Sequence, residues 1–257
     1  MLDAPKAEPP MRLKRTTAYS LVAALLVAGT VNAQRFGYGR WSCEQNAPPT
    51  TELVVARWHF GTNGDIGHFG WCHNYPQSDE HFNEFLRNAT GIDVEIPSYR
   101  IVELGNDEVF DYPFAYVSEP GEMALTDQEV INLREFVNRG GFILIDDFDG
   151  VWQFETMRSQ VERAFPEKYF GPLPLTHGSY RALFDLPDLE RMARHVPGDE
   201  IVYYGLFDDD DYLVIAAGHN NDLANFWDWY GDPYYPLDAA ADAFRLGINF
   251  VIWAMTH

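Results

Sequence analysis

Hydrophobic positions in this chain recur with two periods, and the switches between them mark out strands and helices. Residues 53–60 (LVVARWHF) are β-rich and strand-like. Residues 78–89 place Phe82, Phe85 and Leu86 at helical spacing. Residues 92–96 and 99–104 predict one or two short strands, and 113–118 (PFAYVS) a buried one. The stretch 126–150 holds a complete supersecondary unit. Thr126 and Glu129 form a capping box, Val130, Leu133, Phe136 and Val137 make one apolar helix face, and Gly140-Gly141 ends the helix. A wholly apolar run, Phe142 to Ile145, follows, as expected of a strand covered on both faces of a parallel sheet. It leads into Asp146, Asp147, Asp149 and Gly150 and then a helix over 151–165 with Phe154, Met157, Val161 and Phe165 inward.

Beyond Pro166 the rhythm shortens. Residues 201–207 and 212–217 flank four consecutive aspartates, 208–211, which predicts a hairpin with a solvated turn. The run lacks the alternating acids and the glycine of a calcium loop. Residues 218–236 read as an aromatic loop, and 237–255 as a closing helix that is apolar on nearly every side, hence buried. Strands alternating with helices predict an α/β fold built on a parallel sheet.

At the N-terminus, Arg12, Lys14 and Arg15 precede an apolar stretch, 18–30, and the small-residue site Val31-Asn32-Ala33. This is the pattern of an export signal, and the apolar run is shorter than the roughly 20 residues of a membrane span. The expected organisation is a signal peptide at 1–33, an irregular arm at 34–51 and one α/β domain at 52–257. The expected location is periplasmic or extracellular, with no membrane span after cleavage. The full chain has a net charge of −21; removing 1–33 leaves 14 basic against 37 acidic residues, a net of −23. Such a charge repels nucleic acid and anionic lipid, and leaves a small molecule or an envelope protein as the expected partner. In an oxidising compartment a bridge between Cys43 and Cys72 is one expectation and two free thiols the other.

Ligands of open α/β sheets sit beyond the carboxyl ends of the strands, which directs attention to Asp146 and Asp147. Regular alternation sends adjacent residues to opposite faces, so one of the pair is expected along the cleft and the other against a helix. If the strand 212–217 joins the sheet in parallel, His219, Asn221 and Asp222 reach the same rim. Asp147, His219 and Asp222 would then make a mixed His/carboxylate set for a divalent metal, the one cofactor these residues suggest. The competing reading is that the acids cap helices and order loops. No phosphate-cradling glycine loop, serine elbow or zinc-protease helix is present.

NYPQSDEHF (74–82), RGGFILIDDFDG (139–150) with Trp152 and Met157, HNNDL (219–223) and FRLGINFVIWAMTH (244–257) resemble a bacterial exported family known only as a domain of unknown function. That family is grouped with the class I glutamine amidotransferase-like superfamily, and the resemblance spans about 52–257. It implies a flavodoxin-like parallel sheet with helices on both faces, and no assigned activity. The family often has Asp-Tyr-Pro where this chain has Asn74-Tyr75-Pro76. Amidotransferases of the superfamily carry a cysteine nucleophile at a strand-to-helix elbow, here expected at 146–150, and this chain has no cysteine after Cys72. Without a thiolate, glutaminase chemistry is excluded there. A ligand-binding or accessory envelope protein is the expected function, with a metal-assisted hydrolase using the same carboxylates as the alternative.

Overall fold

The computed structural model describes residues 51, 53–63, 70–94, 99–192 and 194–257. The expected signal segment, residues 34–50 of the arm, and Cys43 within it lie outside them.

One seven-stranded sheet organises the described residues, in the order β2-β1-β3-β4-β7-β6-β5. β1 (Val55–His59), β2 (Tyr99–Glu103), β3 (Phe114–Ser118), β4 (Phe142–Phe148) and β7 (Leu213–His219) run parallel. β6 (Val202–Phe207) is antiparallel to β7, and β5 (Gly171–Pro172) antiparallel to β6. The fold is therefore α/β with a mostly parallel sheet. The hairpin at the four aspartates closes as its composition requires: Asp208 Oδ1 accepts from the backbone N–H of Asp210 and Tyr212, both at 2.9 Å. Ile92, Asp93 and Val94 are not in a strand, and the strand expected nearby is β2.

Side-chain parity along each strand divides the core in two. Leu53, Val55, Phe114, Tyr116, Phe142 and Leu144 face α1 (Gln77–Thr90), α4 (Leu223–Asp228) and α5 (Leu237–Thr256). Ala56, Trp58, Ala115, Val117, Ile143 and Ile145 face α2 (Asp127–Asn138) and α3 (Gly150–Ala164). The helices thus cover both faces, which explains why β3 and β4 are apolar without alternation. α2 starts at the expected capping box: Thr126 Oγ1 accepts from Glu129 N at 3.2 Å, and Glu129 Oε2 from Thr126 N at 2.7 Å. Glu129 Oε1 also accepts from Gly61 N at 2.6 Å, tying α2 to the loop that leaves β1.

Two expectations are corrected. The aromatic loop 218–236 contains a helical turn, α4, because Asp222 Oδ1 caps it by accepting from Asn225 N at 2.8 Å. Trp227 from that turn is buried against Phe82, with ring centroids 4.4 Å apart. β4 also runs further than its apolar run, carrying Asp146 and Asp147 inside the strand rather than beyond it. No helix among the described residues is long and apolar enough to cross a membrane.

Candidate metal centre

The end of β4 holds a bulge. Ile145 pairs with Ala217 and Phe148 with His219, so two residues of β4 oppose only Gly218 of β7. The extra residue is Asp147, at φ 64, in the left-handed region. Without the bulge Asp146 and Asp147 would face opposite sides, as expected from alternation. Instead Asp146 Oδ2 accepts from Tyr116 OH at 2.6 Å, and Asp147 Oδ2 accepts from Ser118 Oγ at 3.3 Å. Tyr116 and Ser118 lie two apart on β3 and share a face, so both carboxylates are on that face.

Their roles then diverge. Asp146 is wholly buried, and its Oδ2 also accepts from the backbone N–H of Leu223 (2.7 Å) and Ala224 (3.3 Å) at the start of α4. It fastens the turn that carries Asp222. Asp147 reaches the rim, where its Oδ2 lies 2.8 Å from Nδ1 of His73, on the loop after β1. From the other side His195, on the loop before β6, places Nε2 3.9 Å from Asp147 Oδ1 and 3.7 Å from Asp222 Oδ2. Its Nδ1 lies 3.3 Å from Asp149 Oδ2. Glu119, at the end of β3, approaches His73 Nδ1 at 3.5 Å.

One nitrogen of His73 and one oxygen each of Asp147 and Asp222 lie within 4.8 Å of one another. Asp222 is 2 % exposed, and its Oδ2 has no hydrogen-bond partner. A buried carboxylate oxygen without a hydrogen bond is costly; His195 Nε2 at 3.7 Å offsets part of its charge, and a cation between them would satisfy it directly. Burial first, then the charge of Asp147, raises the Asp222 carboxyl above its usual range. Burial, followed by the charges of Asp147 and others against the opposing pull of His73, pushes Glu119 up to about 8. The adjacent Asp222 carboxylate raises His195 to about 9 against its own desolvation. For His73, desolvation lowers the pKa, and the hydrogen bond to Asp147 with the surrounding acids outweighs it. Acids inclined to hold protons beside histidines inclined to be cationic describe a site short of positive charge.

Of the residues expected at the rim, Asp147 and Asp222 meet there and Asp146 lies just beneath. His219 does not join them. Its Nε2 is 3.2 Å from Gly150 O, and its ring packs near Phe148, Phe154 and Tyr204. Asn221 is buried, donating to Tyr203 OH at 3.2 Å and accepting from Asp222 N at 2.9 Å. The nitrogen donors are therefore His73 and His195, neither of which periodicity singled out. Cys72, next to His73, is disulfide-bonded, and Cys43, the other cysteine of the chain, lies outside the described residues.

Two buried side chains hold the histidine loops. Arg57, fully buried on β1, donates to the carbonyls of Trp71 (3.3 Å) and His73 (3.1 Å) and to Ser78 Oγ (3.2 Å), and pairs with Asp79 at 2.5 Å. Asn220, at φ 60, accepts from Val196 N at 2.7 Å and donates to Asp199 O at 3.1 Å, next to His195.

A model of a domain of unknown function, DUF4159, matches residues 62–255. This chain belongs to the DUF4159 family. The match takes in every element from the His73 loop to α5, so all the groups gathered at the rim belong to the DUF4159 domain. No curated protein matches the chain in sequence.

Proposed function

We propose that this DUF4159 protein is an exported binding or accessory domain of the cell envelope that holds a divalent cation at its strand-end rim. His73, Asp147 and Asp222 are the ligands, and His195 faces them across the site. The observation that carries this reading is the buried Oδ2 of Asp222, which accepts no hydrogen bond and has only His195 Nε2 at 3.7 Å for a counter-charge, beside the His73 imidazole and a second carboxylate. One nitrogen with two carboxylates suits a borderline divalent ion such as Mn²⁺ or Zn²⁺. The strand order β2-β1-β3-β4, continued by parallel β7, supports the flavodoxin-like class implied by the resemblance. The turn after β4 offers Asp149 and Gly150 where an amidotransferase would need a cysteine, so binding rather than thiol chemistry fits this elbow.

The test is metal analysis of the purified protein with thermal melts before and after chelator. Expected are a melting temperature raised by Mn²⁺ or Zn²⁺ and loss of that shift in Asp147→Asn. A protein whose melt ignores both ions and chelator overturns the reading.

The hydrolase alternative has one observation in its favour. His195 is oriented through Nδ1 by Asp149 and directs its Nε2 toward the cluster, and an imidazole that keeps its proton up to about 9 is suited to giving that proton to a leaving group. Turnover of chromogenic esters that disappears in His195→Gln, with the cation-induced melt shift retained, would select it.

A further inference from the structure

A cavity of about 270 Å³ adjoins the cluster, lined by Arg194, His195, Asp222, Asn225, Phe226 and Tyr235. Two of these residues, Asp222 and His195, also face the cation site, so an occupant of the cavity lies beside the cation. One wall is aromatic. Tyr235 is half-buried, with Phe226 edge-on at 5.6 Å and Trp229 nearly parallel at 6.4 Å and 12°. A ring braced in this way is a flat platform for another ring.

The cavity also has a cationic residue, Arg194. In this acidic chain, nine of the eleven described arginines are in ion pairs. Arg194 and Arg87 are the two without one. A guanidinium left unpaired among so many acids, and lining a cavity, is available to a carboxylate brought by a ligand. The charge around it limits which anion that is. Asp147, Asp149, Asp222 and Glu119 surround the site, so a singly charged group meets less repulsion than a dianionic phosphate.

We propose that this cavity is the recognition subsite of the cation centre and binds a carboxylated ring of monosaccharide size, a uronic-acid-type sugar. Its carboxylate lies between the cation and Arg194, and its ring stacks on Tyr235. The inference rests on the cation reading given above and names the ligand class for that site.

Titration calorimetry of the full protein with Mn²⁺ present tests it, using galacturonate, galactose and acetate as probes. Galacturonate should bind at least about tenfold tighter than either fragment-like control, since ring and carboxylate each contribute. Arg194→Gln should reduce galacturonate to the level of galactose while Mn²⁺ affinity stays unchanged. Tyr235→Ala should reduce it to the level of acetate, and Tyr235→Phe should preserve it, which separates loss of the platform from misfolding. Galacturonate binding no tighter than galactose or acetate, with Mn²⁺ bound, overturns the subsite and leaves the cation site standing. If Mn²⁺ does not bind, the cation reading falls. Galacturonate binding to the metal-free protein, sensitive to Arg194→Gln, would then keep the subsite, and its absence would remove both.

Discussion

Asp222 does two jobs with two oxygens, and they can be separated. Oδ1 caps α4, and Oδ2 accepts no hydrogen bond and faces His195 Nε2 at 3.7 Å. In Asp222→Asn an amide oxygen can keep the cap while the charge at the rim disappears. Thermal melts should show metal-free stability held or raised, because repulsion from Asp147 is relieved, and the cation-induced shift should be lost. Asp222→Ala removes the cap as well and should cost about 1 kcal/mol on top. Asp147 carries a related trade. It is a non-glycine residue at φ 64, which is strained for an L side chain. Asp147→Gly relieves that strain and removes the bonds to His73 and Ser118, so metal-free stability should change by less than about 1 kcal/mol while cation binding is abolished, as read by denaturant titration with and without Mn²⁺. His219→Gln should leave the cation shift intact, since its ring lies among Phe148, Phe154 and Tyr204. That residue also shows where sequence reasoning went astray. β7 reads LVIAAGH and is buried nearly throughout, so nothing in it marks which face a given position takes. Proximity of His219 to Asp222 in the chain therefore carried no information about proximity in space.

At the level of elements, the bulge in β4 and the two pinned loops make the site. The helix and strand over 126–148 were legible because capping, period and burial all agree there: Thr126 and Glu129 close the box, and β4 is buried throughout. The extra residue in β4 was not legible, because Asp-Asp at a strand end fits regular and bulged pairing equally. Nor were His73 and His195, which reach Asp147 from loops on either side of it in the chain. Their supports are buried polar residues whose purpose appears only in three dimensions. Arg57 sits in a β-rich run as a lone charge, and its guanidinium reaches the His73 carbonyl, Ser78 and Asp79 while lying over the Tyr116 ring at 4.6 Å. Arg57→Met would leave Asp79 buried without its counter-ion, at a cost of about 3–5 kcal/mol. It would also release the backbone that sets His73. Denaturant unfolding should show that loss, and under conditions where the variant is still folded its cation affinity should fall too.

Across the whole molecule, three buried acids, Asp146, Asp147 and Asp222, and the half-buried Glu119 meet at one rim, and stability should vary with pH accordingly. Glu119 is held at about 8 in the folded protein, against roughly 4.3 in an unfolded chain. The folded state therefore binds more protons than the unfolded state between those values, and stability falls as pH rises through them. His195, at about 9 when folded against roughly 6.5 when unfolded, acts with the same sign: its contribution is complete below 6.5 and lost as pH rises through 9. The two windows overlap and add, so the metal-free protein should melt lower at pH 8.5 than at pH 5.5. A divalent cation bound only by the folded state reverses this trend, because it stabilises by mass action and competes with the protons of the same cluster. Melting curves at both pH values, with chelator and with Mn²⁺, should show the cation-induced increase larger at pH 8.5. In Asp147→Asn the slope with pH should flatten, because part of the repulsion acting on Glu119 and Asp222 is gone, and the cation should add nothing. A metal-free protein that is more stable at pH 8.5 than at pH 5.5 would mean that the rim acids are relieved by some partner other than protons or a cation.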